Sequence, residues 1–151
     1  MGYDIEVRQL QRQDTAVIRA KCRWDQLGDT LSGIFAEVWS HINTTGAQPT
    51  GIAFARYRPE TAEVGIEAGF TVAAPIARGG RVEPGELPGG EAAVCLHVGP
   101  YEEVAAAYEA VQTWMAEHQR EANGAAWEVY LSPPEEQPPR TEVVFPLRPA
   151  K

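Results

Sequence analysis

The sequence predicts an α+β fold: a strand-helix-strand-strand unit in tandem, its strands forming one curved antiparallel sheet with two helices on one face and a central cleft. Three observations carry this expectation. Apolar residues alternate in several short segments and recur every three or four residues in two longer ones, and the whole series occurs twice, about 73 to 77 residues apart. The length of 151 residues fits one domain, residues 1–151, with pseudo-repeats of about 4–73 and 81–148.

Ile5, Val7 and Leu10 alternate, and after the polar Gln11-Arg12-Gln13-Asp14 turn the segment Thr15 to Ala20 is again strand-like, which predicts a hairpin start. From Asp25 to about Asn43, Leu27, Leu31, Ile34, Val38 and Ile42 follow the helical spacing, with Asp25 as N-cap and Gly46 as stop. Phe35 and Trp39 sit on the shoulder of that face. A second hairpin joins Gly51–Tyr57 to Glu63–Val72 across the turn Arg58-Pro59-Glu60. The Pro- and Gly-rich stretch from Ala74 to Gly90 leaves room only for a short edge strand around Arg81 to Leu87.

Glu91 to Val98 reads as a strand, and Gly99-Pro100 opens a second helix with Pro100 at its first position. Val104, Tyr108, Val111 and Met115 form its apolar stripe, and it runs to about Glu121 before Asn123-Gly124. Trp127 to Leu131 is a strand, Ser132 to Arg140 a Pro-rich turn, and Thr141 to Leu147 the last strand.

Composition narrows the function classes. The chain is 44% hydrophobic and 23% charged, in the range of a folded globular protein. Thirteen basic against twenty-one acidic residues give a net charge of −8, which argues against direct nucleic-acid binding. The start, Met1-Gly2-Tyr3-Asp4-Ile5-Glu6, lacks the basic and apolar regions of a signal peptide, and no apolar run is long enough to cross a membrane. Cys22 and Cys95 form no disulfide framework or zinc motif, so reduced thiols in the cytoplasm are expected.

The repeat singles out one residue. Phe70-Thr71-Val72 aligns with Phe145-Pro146-Leu147, Glu67 with Glu142 and Tyr57 with Tyr130, but Glu128 falls where the first copy has Ala55. Strand alternation puts Glu128 and Tyr130 on one face, with Trp127 and Val129 on the other. Burial there would disfavour the charged carboxylate, and a cationic ligand or a hydrogen-bonded tyrosine would restore it. The alternative is an outward-facing glutamate on a solvated face. If aromatic rings share its surroundings, they make a cage for an organic cation; Tyr130 is the firmest member, followed by Trp39, Tyr57, Tyr101 and Phe54.

Other chemical signals are sparse. Ser32, Ser40 and Ser132 lie outside any GxSxG context, and His41, His97 and His118 show no metal-binding spacing, so neither a metal nor a cofactor is expected. Cys95 and His97 share a strand face without an evident activating environment.

Leu87-Pro88-Gly89-Gly90, Gly99-Pro100-Tyr101, Trp127-Glu128-Val129-Tyr130 and the final Thr141–Leu147 segment, taken in order, resemble the GyrI-like small-molecule-binding family. That family is related to the effector-binding domains of AraC-type and MerR-type multidrug regulators. The resemblance implies a cleft between the halves that takes lipophilic, aromatic and cationic compounds, with a glutamate at its floor matched by Glu128 and aromatic positions matched by Tyr130 and Tyr101. A standalone copy would sequester such a compound. Two alternatives follow from other branches of the family: hydrolysis of cyclopropane-bearing DNA-alkylating compounds with Glu128 as the catalytic group, and inhibition of DNA gyrase as a protein partner. In the last case surface acids such as Glu102, Glu103, Glu135 and Glu136 would matter more than Glu128.

Overall fold

The computed structural model describes residues 3–100, 103–131 and 138–149, apart from the side chains of residues 51, 52 and 59. Among these residues the fold is α+β, as predicted, with eight strands and two α-helices. The order is β1 (Ile5–Leu10), β2 (Gln13–Arg23), α1 (Leu27–Thr45), β3 (Pro49–Pro59), β4 (Glu63–Val72), β5 (Glu83–Leu87), β6 (Gly90–Val98), α2 (Ala105–Glu117), β7 (Trp127–Tyr130) and β8 (Arg140–Pro146). The chain divides into two compact units: residues 12–87, and residues 1–11 with 88–151.

In the unit of residues 12–87, β4 lies between β2 and β3, and β5 borders the other edge of β2, all antiparallel. α1 covers the face of β2 and β4. Its Ile34, Val38 and Ile42 are fully buried at the predicted spacing, each contributing about 1.5–3 kcal/mol of apolar burial. Gly46 ends the helix in the left-handed region at φ 77°, its N–H donating to the Ile42 carbonyl. The start differs from expectation. Trp24–Gln26 form a 3₁₀ turn, so Gln26 and not Asp25 is the N-cap, and no side chain caps the first α-helical turn.

In the other unit β8 lies between β6 and β7, and β1 borders β6. The predicted N-terminal hairpin does not form, because β1 pairs with β6 while β2 pairs with β4 and β5. The two strands that precede β2 and β6 are exchanged in the same register: Leu10 faces Gly90 as Leu87 faces Gln13. Each repeat thereby places its first strand in the compact unit of the other, which is why unit boundaries and repeat boundaries differ.

The second helix is shorter than its periodicity suggests. Its α-helical part begins at Ala105, past Pro100, and ends at Glu117. The end is a Schellman-type closure in which Gln119 adopts φ 56°, the Gln119 N–H reaches the Ala116 carbonyl and the Arg120 N–H the Met115 carbonyl. His118 reinforces it through Nδ1, 2.8 Å from the Trp114 carbonyl, and by stacking on the Trp114 ring. Ala107, Val111 and Met115 face a core of Ala93, Cys95, Val143, Phe145 and Leu147.

Gly69 illustrates how tightly β2 and β4 approach. A Cβ built there would stand 1.9 Å from the Ala16 carbonyl oxygen and 3.0 Å from the Val17 Cα, both backbone atoms that no rotamer change moves. Gly69→Ala is therefore expected to destabilise the fold by about 3 kcal/mol or more, read as a drop in the urea midpoint with an unchanged m-value.

Candidate functional site

The ladder registers of the two copies superpose, and this fixes what Glu128 replaces. Ala55 pairs with Ala68 on β4, whose other partner is Ile18; Glu128 pairs with Val143 on β8, whose other partner is Cys95. One row further, Tyr57, Ile66 and Ala20 correspond to Tyr130, Thr141 and His97. Directly paired residues project to the same face, so Glu128 shares the face of Val143 and Cys95, which is the face under α2.

Glu128 is 2% exposed and both of its carboxylate oxygens are held. Tyr130 Oη donates to Oε1 at 2.8 Å, and Tyr108 Oη donates to Oε2 at 2.6 Å. Tyr130 lies two residues along the same strand, on the same face as expected, whereas Tyr108 descends from α2. Short O–H···O bonds to a carboxylate are charge-assisted and offset part of the cost of taking the charge out of water. Aromatic rings adjoin the carboxyl group, with Phe145 against Tyr108 at 5.8 Å and an interplanar angle of 71°.

The first copy has the same frame without the polar groups. The buried helix residues Ile34, Val38 and Ile42 match Ala107, Val111 and Met115, which makes Phe35 the counterpart of Tyr108. Phe35 meets Phe70 edge to face at 5.7 Å and 66°, nearly the Tyr108–Phe145 geometry. The second copy thus differs by a coordinated pair, Glu for Ala and Tyr for Phe. Tyr108 escaped the sequence reading because its position in an apolar stripe accounts for the ring. Setting Phe35 against Tyr108 at the offset that aligns Ala55 with Glu128 would have revealed its hydroxyl as the added feature.

The remaining sequence candidates have different placements. Trp39 lies on α1, 44% exposed, with its ring 5.3 Å from Phe70. Tyr57 is half-buried on β3 beside Ile66. Phe54 is 1% exposed and in register with Gly69, on the face opposite Ala55 and Tyr57. All three belong to the unit of residues 12–87, whereas Glu128, Tyr130 and Tyr108 belong to the other. Tyr101 lies outside the described residues, as do Glu102, Glu135 and Glu136.

Among the described residues no group of three or more His, Cys, Asp or Glu is placed to hold a metal ion, and no helix is long and apolar enough to cross a membrane. A groove of about 420 Å³ beside β2 and β5 is lined by Arg12, Asp14, Arg19, Arg56, Glu67 and Glu86 among others. Arg12 pairs there with Asp14 and Glu86, and Arg19 with Glu67 and Glu83. These ion pairs match much of the charge that lines the groove.

The chain belongs to the GyrI-like family: the model of the GyrI-like small molecule binding domain matches residues 3–148. Among solved structures it is similar to the C-terminal domain of EcmrR, at 15% identity and a TM-score of 0.82 over 99% of this chain and 100% of that domain. In the EcmrR–DNA complex it spans 58% of the EcmrR chain, with 98% of this chain covered, 16% identity and a TM-score of 0.82. A hydrolase from Listeria innocua aligns at 13% identity over 97% of this chain and 93% of its own, with a TM-score of 0.67. SAV2435 bound to tetraphenylphosphonium aligns at 13% identity over 98% and 94%, with a TM-score of 0.60. A search of curated proteins found no match.

Two outcomes test this geometry. Tyr108→Phe keeps the ring and removes one charge-assisted bond, so it should lower stability by about 1.5–3 kcal/mol in chemical denaturation. Cys95, fully buried, has its thiol pushed up from 9.0 to about 11 by burial, with the charge of Asp4 adding to the effect. Below about pH 9 the thiol is neutral in both states, and as pH rises from there toward about 11 the unfolded thiol ionises first, so the folded state loses stability. Cys95 should accordingly resist Ellman's reagent at pH 8 until the chain unfolds, the opposite of an activated Cys/His pair.

Proposed function

We propose that the protein binds lipophilic aromatic cations against Glu128, as a small-molecule-binding module. The observation that carries this reading is the buried carboxylate held at both oxygens by the Tyr108 and Tyr130 phenols. A delocalised organic cation neutralises such a group at little desolvation cost of its own, and ring faces add cation–π attraction of about 0.5–2 kcal/mol per contact. Family membership supports the small-molecule class, and the tetraphenylphosphonium bound by SAV2435 supplies a probe of this chemistry. Trp39, Tyr57, Tyr101 and Phe54 stay as subsidiary ligand-contact candidates, on the strength of the aromatic pattern alone.

The competing reading is hydrolysis, the class named for the Listeria innocua neighbour. There Glu128 would have to take a proton from an attacking water. Both its oxygens already accept phenolic hydrogen bonds, an arrangement suited to holding a charge in place, which favours binding.

Calorimetric titration with tetraphenylphosphonium, alongside a neutral triaryl compound of similar size, tests the proposal. Glu128→Gln keeps the shape and removes the charge, and should weaken the cation by about 30-fold or more while changing the neutral compound little. Equal affinity of the cation for both proteins would remove Glu128 from the site. Turnover of an electrophilic cyclopropane substrate, lost in Glu128→Gln, would decide for the hydrolase.

A further inference from the structure

His97 is a buried polar residue that the proposed contacts at Glu128 do not use. It is 2% exposed on β6, one ladder row beyond Cys95, and its cross-strand neighbour Thr141 pairs in turn with Tyr130. The other copy has Ala20 and Ile66 at the matching places, so these two positions, like Glu128 and Tyr108, are polar in one copy only. Both ring nitrogens are engaged. Nε2 lies 2.9 Å from the Pro100 carbonyl and Nδ1 lies 3.0 Å from Tyr3 Oη.

The directions of these bonds follow from their partners. A carbonyl only accepts, so Nε2 carries a proton; in the neutral ring Nδ1 then accepts and Tyr3 donates. The result is a directed chain from Tyr3 O–H through His97 to the Pro100 carbonyl, which also accepts the Glu103 N–H at 3.0 Å. Pro100 lies at the junction of β6 and α2, where Gly99 takes φ 137° and donates to the Pro139 carbonyl. α2 carries Tyr108, whose hydroxyl must arrive within 2.6 Å of Glu128. Among the described residues no side chain caps the first turn of α2, and the sheet-borne imidazole holds the Pro100 carbonyl that precedes it.

We infer that His97 is a positioning residue for the Glu128 site: by holding the Pro100 carbonyl it sets the seat of α2 and so places the Tyr108 hydroxyl on the carboxylate. The inference rests on the proposed cation site for its functional consequence and on the Tyr3–His97–Pro100 geometry for its physical one, so each is tested separately. His97→Gln retains an amide donor at the reach of Nε2. His97→Asn places its amide near Nδ1 and leaves the Pro100 carbonyl without this donor.

The first measurement needs no ligand. A buried hydroxyl in a short bond to a carboxylate gives a downfield, slowly exchanging proton resonance, assigned to Tyr108 by its absence in Tyr108→Phe. His97→Asn should shift this resonance or broaden it away, and His97→Gln should restore it. An unchanged resonance in His97→Asn overturns the inference whether or not any cation binds. The second measurement is tetraphenylphosphonium affinity in a double-mutant cycle. His97→Asn should weaken binding about tenfold in the natural background and less than about twofold in Tyr108→Phe, with His97→Gln close to the natural protein. Equal losses in both backgrounds would show that His97 acts independently of Tyr108 and overturn the inference. Absence of binding by the unmutated protein counts against the cation site itself, and the resonance measurement then decides the positioning role alone.

Discussion

A carboxylate taken out of water is the constraint around which one half of this molecule is arranged. Transferring an ionised group into a protein interior costs several kcal/mol unless hydrogen bonds and charges replace its hydration. At Glu128 two phenols act on different oxygens, one from the same strand and one from the helix above. Tyr130 follows from strand alternation alone, since a residue two positions away shares the face. Tyr108 requires α2 to lie at one height and rotation over the sheet. The carboxylate therefore ties local geometry to tertiary packing: small Ala107 and larger Val111 and Met115 seat the helix, and the seat determines whether the second phenol arrives.

Duplication makes the cost of that arrangement visible within a single chain. The copy containing β2, β3 and β4 fills equivalent positions with Ala55, Phe35, Ile66 and Ala20, while its counterpart has Glu128, Tyr108, Thr141 and His97. Strand pairing, helix spacing and even the edge-to-face ring contact are retained. What changes is the hydrogen-bonding capacity of one face. A buried acid added alone would be destabilising, and a buried phenol added alone would need a partner, so the two substitutions are favourable only together. The paired change distinguishes the two copies more sharply than Glu128 by itself.

Much of this was legible from periodicity. β4 coincides with the alternating segment from Glu63 to Val72, the stripe of α1 is the one its spacing marks, and the Glu128–Tyr130 face follows from parity. Pairing was less accessible. Proximity in sequence favours a β1–β2 hairpin, yet hydrogen-bonding capacity says only that β1 needs a partner strand; the duplicated fold supplies β6, an exchange that no local pattern encodes. Helix boundaries shifted for similar reasons. Pro100 is compatible with a helical first turn, but its carbonyl serves the His97 ring and the Glu103 amide, and α2 begins further on. At the other end Gln119 supplies a left-handed residue where glycine is the usual signal, so the stop preceded Asn123-Gly124.

The placement of polarity has a further consequence for how such a site can vary. Residues on β7 and β8 are fixed by ladder pairing on a sheet whose core is Ala93, Cys95, Val143 and Phe145, so Glu128 and Tyr130 have little freedom once the sheet forms. Tyr108 is different, because a helix can shift over a sheet by small changes in the side chains between them. The carboxylate is thus rigid on one side and adjustable on the other. Its strand-borne bond defines where a charge sits, and its helix-borne bond responds to whatever moves α2, including the contacts at Pro100. Helix packing can therefore alter the Tyr108 contact while the strand pairing that places Glu128 and Tyr130 stays unchanged.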